Sequence, residues 1–166
     1  MSYSDIGLLG NPHKVGYYLL YRASSKIGTA DQSMNDKDDF FESFCRGVLE
    51  KDHYIRFTGI SNHLGHLVAT AYRKDLLPLM TPEETARYSV QAAIRAATRE
   101  AFEAKIGELK FSISRYTMLV RATVPIKSSG KNKFLLLLSF DVDAEADSII
   151  NRKVFPYILQ NKDYFL

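Results

Sequence analysis

The chain has 166 residues and a formal net charge of +3, from 22 Lys+Arg against 19 Asp+Glu, with 46% of residues hydrophobic and 25% charged. That is the balance of one globular domain with a sizeable core and at most one extension. Both signs are scattered, so no basic stripe points to nucleic acid; the single cysteine, Cys45, excludes a disulfide framework and fits a reducing compartment; and no apolar run nears the ~20 residues of a spanning helix.

Residues 1–35 stand apart. They hold Gly7, Gly10, Asn11, Pro12, Gly16 and Gly28, and a polar stretch from Ser24 to Asn35. Within them Val15-Gly-Tyr-Tyr-Leu-Leu-Tyr21 is too apolar for a free tail. We read a partly irregular N-terminal arm over residues 1–35, followed by an α/β domain over residues 36–166. No basic start followed by an apolar run opens the chain, so no signal peptide is read and the cytoplasm is the expected location.

A helix is predicted from about Lys37 to Lys51, capped by Asp36 or Asp38. Phe40, Phe41, Phe44, Cys45, Val48 and Leu49 fall on one face of a 3.6-residue period. Cys45 sits in that apolar stripe with no sign of the base and electropositive setting a nucleophilic thiol needs, so it reads as a small buried hydrophobe. Tyr54 to Ile60 and His66 to Tyr72 alternate as two strands around the turn Ser61-Asn-His-Leu-Gly65, a β-hairpin. His53, His63 and His66 lie in or beside that turn and lack the partners of a tetrahedral metal set, so no metal is expected there.

Thr81-Pro82-Glu83-Glu84 is a strong helix start, with Thr81 as cap and Glu84 completing a capping box. The helix is predicted to reach about Ile106 and stop at Gly107. Ala86, Val90, Ala93, Ile94, Ala97, Ala101 and Ala104 are expected to face inward. Tyr88, Arg95, Arg99 and Phe102 are expected on the opposite, exposed side, as a protein-interface seam, because Tyr and Arg concentrate at interface hot spots.

Three strands follow. Leu109, Phe111 and Ile113 alternate inward in the first. Met118, Val120, Ala122, Val124 and Ile126 do so in the second. Phe134-Leu-Leu-Leu-Leu-Ser-Phe140 is apolar on both faces, the mark of a central strand covered above and below. Ser128-Ser-Gly-Lys131 precedes a strand and lacks the phosphate-loop pattern, so it is rejected as a nucleotide site. Asp141, Asp143, Glu145 and Asp147 lack the Gly and terminal Glu of a calcium loop and read as helix-start carboxylates. The last helix carries Ile149, Ile150, Val154, Phe155 and Ile158, and Pro156 inside it is expected to kink or split it by displacing the bond to Arg152.

The order α-β-β-α-β-β-β-α, with neighbouring strands antiparallel, predicts a five-stranded antiparallel sheet with helices on both faces. Residues 37–160 resemble the roadblock / dynein-light-chain family, a relative of the longin and profilin-like folds. Ile55-Arg-Phe-Thr-Gly-Ile60 with Gly65-His-Leu-Val-Ala69 is similar to its first hairpin. The stretch Ile55 to Ile126 also resembles an uncharacterised archaeal family in which segments like Lys110-Phe-Ser-Ile-Ser-Arg115 and Leu136-Leu-Leu-Ser-Phe-Asp141 recur. The resemblance implies strand order 2-1-5-4-3, homodimers or heterodimers, and work as a scaffold or regulator, often beside small GTPases. It carries no catalytic residues and no cofactor.

The expected function is therefore non-enzymatic: a regulatory or scaffold module working through protein contacts, as a homodimer, with an unknown protein partner, no nucleic acid and no membrane. The alternative is a sensor of the profilin/PAS-like type for a small anionic ligand, anchored by Arg56, Arg115 and Arg121. No catalytic nucleophile–base pair stands out in the sequence.

Overall fold

The computed structural model describes residues 31–165 apart from 75, 129 and 130, so the arm expected over residues 1–35 lies almost wholly outside the described residues. The first helix, α1 (Asp31–Leu49), starts six residues before the predicted Lys37. The added turns are polar, with none of the apolar periodicity that signals a helix. Strands β1 (Ile55–Asn62) and β2 (Leu67–Tyr72) form the predicted hairpin. Helix α2 (Pro82–Glu100) breaks at Ala101–Phe102 and resumes as α3 (Glu103–Ile106), which ends at Gly107 with φ 90°. Then come β3 (Ser112–Arg115), β4 (Val120–Ser128) and β5 (Lys131–Phe140).

The sheet is antiparallel with order β2-β1-β5-β4-β3, as expected. β5 lies in the middle, and its two apolar faces go to two separate cores. Leu136, Leu138 and Phe140 join Phe41, Phe44, Cys45 and Val48 of α1 and Ile149, Ile150, Val154 and Ile158 of the C-terminal helices. Leu135 and Leu137 join Phe57 and the alanines of α2. β3 is shorter than predicted. Ile113 is 36% exposed because an edge strand at the rim has little above it.

The C-terminal helix is split, but not by a simple kink. α4 (Ala146–Ile149) runs into a π-helical turn (Ile150–Val154) and then α5 (Phe155–Gln160), with Pro156 in the first turn of α5. The Phe155 N–H donates to the carbonyl of Ile150, five residues back. The wider turn takes in the proline, which has no N–H to give and whose ring would clash with a carbonyl four residues back.

Candidate functional site

Helix α2 sets the geometry. Thr81 Oγ1 accepts from the Glu84 N–H at 3.2 Å and Glu84 Oε2 accepts from the Thr81 N–H at 2.8 Å, so the capping box forms. Its buried face is Thr85, Ser89, Ala92, Ala93 and Ala96. These side chains are small, which lets the helix lie close on Phe57, Leu135 and Leu137. The predicted inward stripe is thus corrected. Of its seven residues only Ala93 is buried, and Val90 and Ile94 are 39% and 61% exposed. Close approach selects small residues, and a hydrophobicity count cannot see that.

Of the four residues expected on the exposed seam, Arg95, Arg99 and Phe102 are exposed and Tyr88 alone departs. Tyr88 is half-buried and packs against the α2-side core. Arg95 and Arg99 are exposed on the helix, and Phe102 sits at the break after α2, 56% exposed.

Tyr88, Arg95 and Arg99 nevertheless come together with Arg121 of β4. The register pairs Ser112 with Thr123 and Ser114 with Arg121. Directly opposed residues share a face of the sheet, so these four polar side chains lie together beside α2. They line one groove with Tyr88, Arg95 and Arg99. The Arg121 guanidinium lies 3.9 Å from the centre of the Tyr88 ring, and that of Arg95 lies 5.5 Å from it. Arg121 also touches Met80 Sδ. Among the described residues, none of the three arginines has an ion-pair partner.

The three arginines expected to anchor a ligand do not converge. Arg115 donates to the carbonyls of Val142 (2.8 Å) and Ala144 (3.3 Å), which fastens the loop after β5. Arg56 donates to Asp141 Oδ1 at 2.7 Å. Arg73 joins that carboxylate at 2.6 Å. The Arg73 bond, with Arg56 beside it, holds the Asp141 carboxyl below its usual range despite partial burial. Arg56 and Arg121 do share an apolar cavity under the loop before α2, walled by Phe57, Tyr72, Leu76 and Leu119. Asp141 is therefore an ion-pair hub rather than a helix-start carboxylate.

Other candidate chemistry has structural occupation. Cys45 is fully buried, with its Sγ 3.8 Å from the Ala69 carbonyl, and burial pushes its thiol up to about 11. A thiol so raised is no nucleophile. Asn62 Oδ1 accepts from the N–H groups of Leu64 and His66, both at 3.0 Å, and so shapes the turn that leaves His63 and His66 exposed. Among the described residues, no three His, Cys, Asp or Glu side chains gather as a metal set, and no helix is long and apolar enough to cross a membrane. Ser128–Lys131 spans residues 129 and 130, which lie outside the described residues.

Sequence reading missed Ser112, Ser114 and Thr123 as groove residues, although Ser112 and Ser114 flank Ile113 in clean alternation. It also missed Val90 and Ile94 as surface.

No family model matches the sequence, and no curated protein matches it. Solved structures do. MglB in a tetrameric arrangement superposes with TM-score 0.62 at 14% identity, over 77% of this chain and 89% of that one. A Roadblock/LC7 domain from Streptomyces avermitilis gives 0.57 at 9% identity, over 74% and 95%. The gliding protein MglB from Thermus thermophilus gives 0.56 at 14% identity, over 78% and 86%. The fold is roadblock-like.

Proposed function

We propose that this chain is a non-enzymatic regulatory or scaffold module that acts through protein contacts, as a homodimer, beside a small GTPase. One observation carries the reading: the outward face of α2 is apolar and bare. Val90 is 39% exposed and Ile94 61%, with Ala86, Ala97 and Ala101 exposed around them. A helix that turns its larger aliphatics to water while Ala92, Ala93 and Ala96 face inward has a second surface to bury. An isologous pair of such helices buries both copies at once. The small alanines beside Val90 and Ile94 let the two backbones approach. The roadblock-like neighbours support a regulatory role, and the family resemblance supplies the small GTPase. Tyr88, packed onto the sheet, takes no part in this seam.

The test is mass in solution. The wild type is expected to run as a dimer and Ile94→Glu as a folded monomer with an unchanged circular dichroism spectrum. A monomeric wild type, or a variant that stays dimeric, ends this reading.

A further inference from the structure

We propose that the groove between α2 and strands β3–β4 binds a multiply charged oxyanion, a phosphate or diphosphate group on a small water-soluble ligand. The proposal does not depend on the dimer. Three guanidiniums, Arg95, Arg99 and Arg121, meet the hydroxyls of Ser112, Ser114 and Thr123 around one groove. Every one of these groups donates hydrogen bonds, and the three cations have no counter-charge among the described residues.

Arg121 is the strongest pointer. It is half-buried, yet beyond the Tyr88 ring its contact is a thioether sulfur, a weak acceptor for a group with several strong donors. Withdrawing such a group from water without an oxygen partner is unfavourable. The Tyr88 ring lies within cation–π reach of both Arg95 and Arg121. Contact with that ring restrains Arg121, and more loosely Arg95, before an anion arrives, which lowers the ordering cost of binding.

Charge selects the class. A single carboxylate neutralises one of three guanidiniums. A phosphate monoester carries nearly two charges and three acceptor oxygens, and a diphosphate more. Hydroxyls from two adjacent strands, set opposite guanidiniums from a helix, suit a tetrahedral group with oxygens on several sides better than a flat carboxylate.

The experiment is calorimetric titration of the full chain with inorganic pyrophosphate, with acetate as the comparison anion. Pyrophosphate is expected to bind at one site per chain and acetate not to bind. Arg121→Gln and Arg95→Gln are each expected to weaken binding by about tenfold, the loss of one charge-assisted contact. Arg95 is exposed, so its variant keeps the test valid if Arg121→Gln does not fold. Arg87→Gln removes an exposed arginine of α2 that does not line the groove, and is expected to change binding by less than about twofold. A nucleoside diphosphate that competes with pyrophosphate supports the assignment. No pyrophosphate binding, an equal loss in Arg87→Gln, or association only with vesicles carrying phosphorylated inositol lipids would overturn it.

Discussion

The two faces of the sheet are built on opposite rules. On one, α1 and the C-terminal helices drive large side chains into β1, β4 and β5. Phe44 stacks edge-on against Phe165 at 5.0 Å and lies 5.2 Å from Tyr157, and both phenylalanines are 1% exposed. On the other, α2 offers Thr85, Ser89 and alanines, and the strands below supply Gly59 and Ser61 beside Phe57, Leu135 and Leu137. The first face gains stability from area and shape. The second gives up that gain, brings a helix close to the sheet, and leaves β3 and β4 with a polar surface beside it. The proposed seam and the proposed anion groove both lie on this thinner face.

The largest expected effect is therefore on the thick face. Phe44→Ala should lower unfolding free energy by about 3–5 kcal/mol, the transfer loss plus a cavity that its ring partners cannot fill. Urea unfolding checks it. A loss below about 1 kcal/mol, the range of a surface site, would mean that the two faces do not differ as described.

The thin face has its own fixed point. Gly65 adopts φ 85°, and a Cβ added there would lie 2.5 Å from the Cα of Val90. The hairpin turn thus presses backbone against the α2 backbone. Gly65→Ala should cost about 2–3 kcal/mol through left-handed strain plus a clash that no rotamer change relieves. Because α2 must shift, it should also weaken the proposed α2 dimer, which sedimentation would detect. Gly107, with φ 90° but open space around it, gives the contrast: Gly107→Ala carries only the strain.

Much of this was legible in the chain. The aromatic stripe of α1 and the doubly apolar run Phe134–Phe140 sufficed for the layers and for the centre of the sheet, because large side chains announce burial by their chemistry. The phase of α2 was not legible. Its inward residues are chosen for size, and serine and threonine at Ser89 and Thr85 count as polar. The groove was half legible. Tyr88, Arg95, Arg99 and Arg121 stand out as types, but the packing of α2 on the sheet brings them together, and the register, Ser114 opposite Arg121, adds the hydroxyls. The β3–β4 turn sets that register locally, but no local signal says which helix lies over the hairpin.

A smaller effect is expected where the ends of three strands are tied together. Asp141 follows β5 and receives Arg56 from β1 and Arg73 from just beyond β2. Asp141→Asn should cost about 2 kcal/mol near neutral pH, in the range for hydrogen bonds to a charged group. The sign of the pH dependence follows from the lowered carboxyl. The ion pairs contribute fully above the unfolded carboxylate range, about pH 4, and their contribution is lost as pH falls through the lower folded value. The wild type should therefore lose stability on acidification below about pH 4 more steeply than Asp141→Asn. Parallel curves would remove Asp141 as the tie.

The smallest effect has the opposite sign and separates the faces most sharply. Ser61 Oγ and Ser89 Oγ are buried and have no hydrogen-bond partner among the described residues. A buried hydroxyl without a partner is unfavourable, and serine is a weaker helix former than alanine. Ser89→Ala keeps the small contact surface, removes the stranded hydroxyl and improves the helix. It should therefore stabilise the protein by about 0.5–1 kcal/mol, seen as a raised Tm. On the opposite face the comparable trimming, Val48→Ala at a fully buried position, can only destabilise. If Ser89→Ala also destabilises, its hydroxyl has a partner in solution, and the α2 face is more tightly built than its small side chains imply.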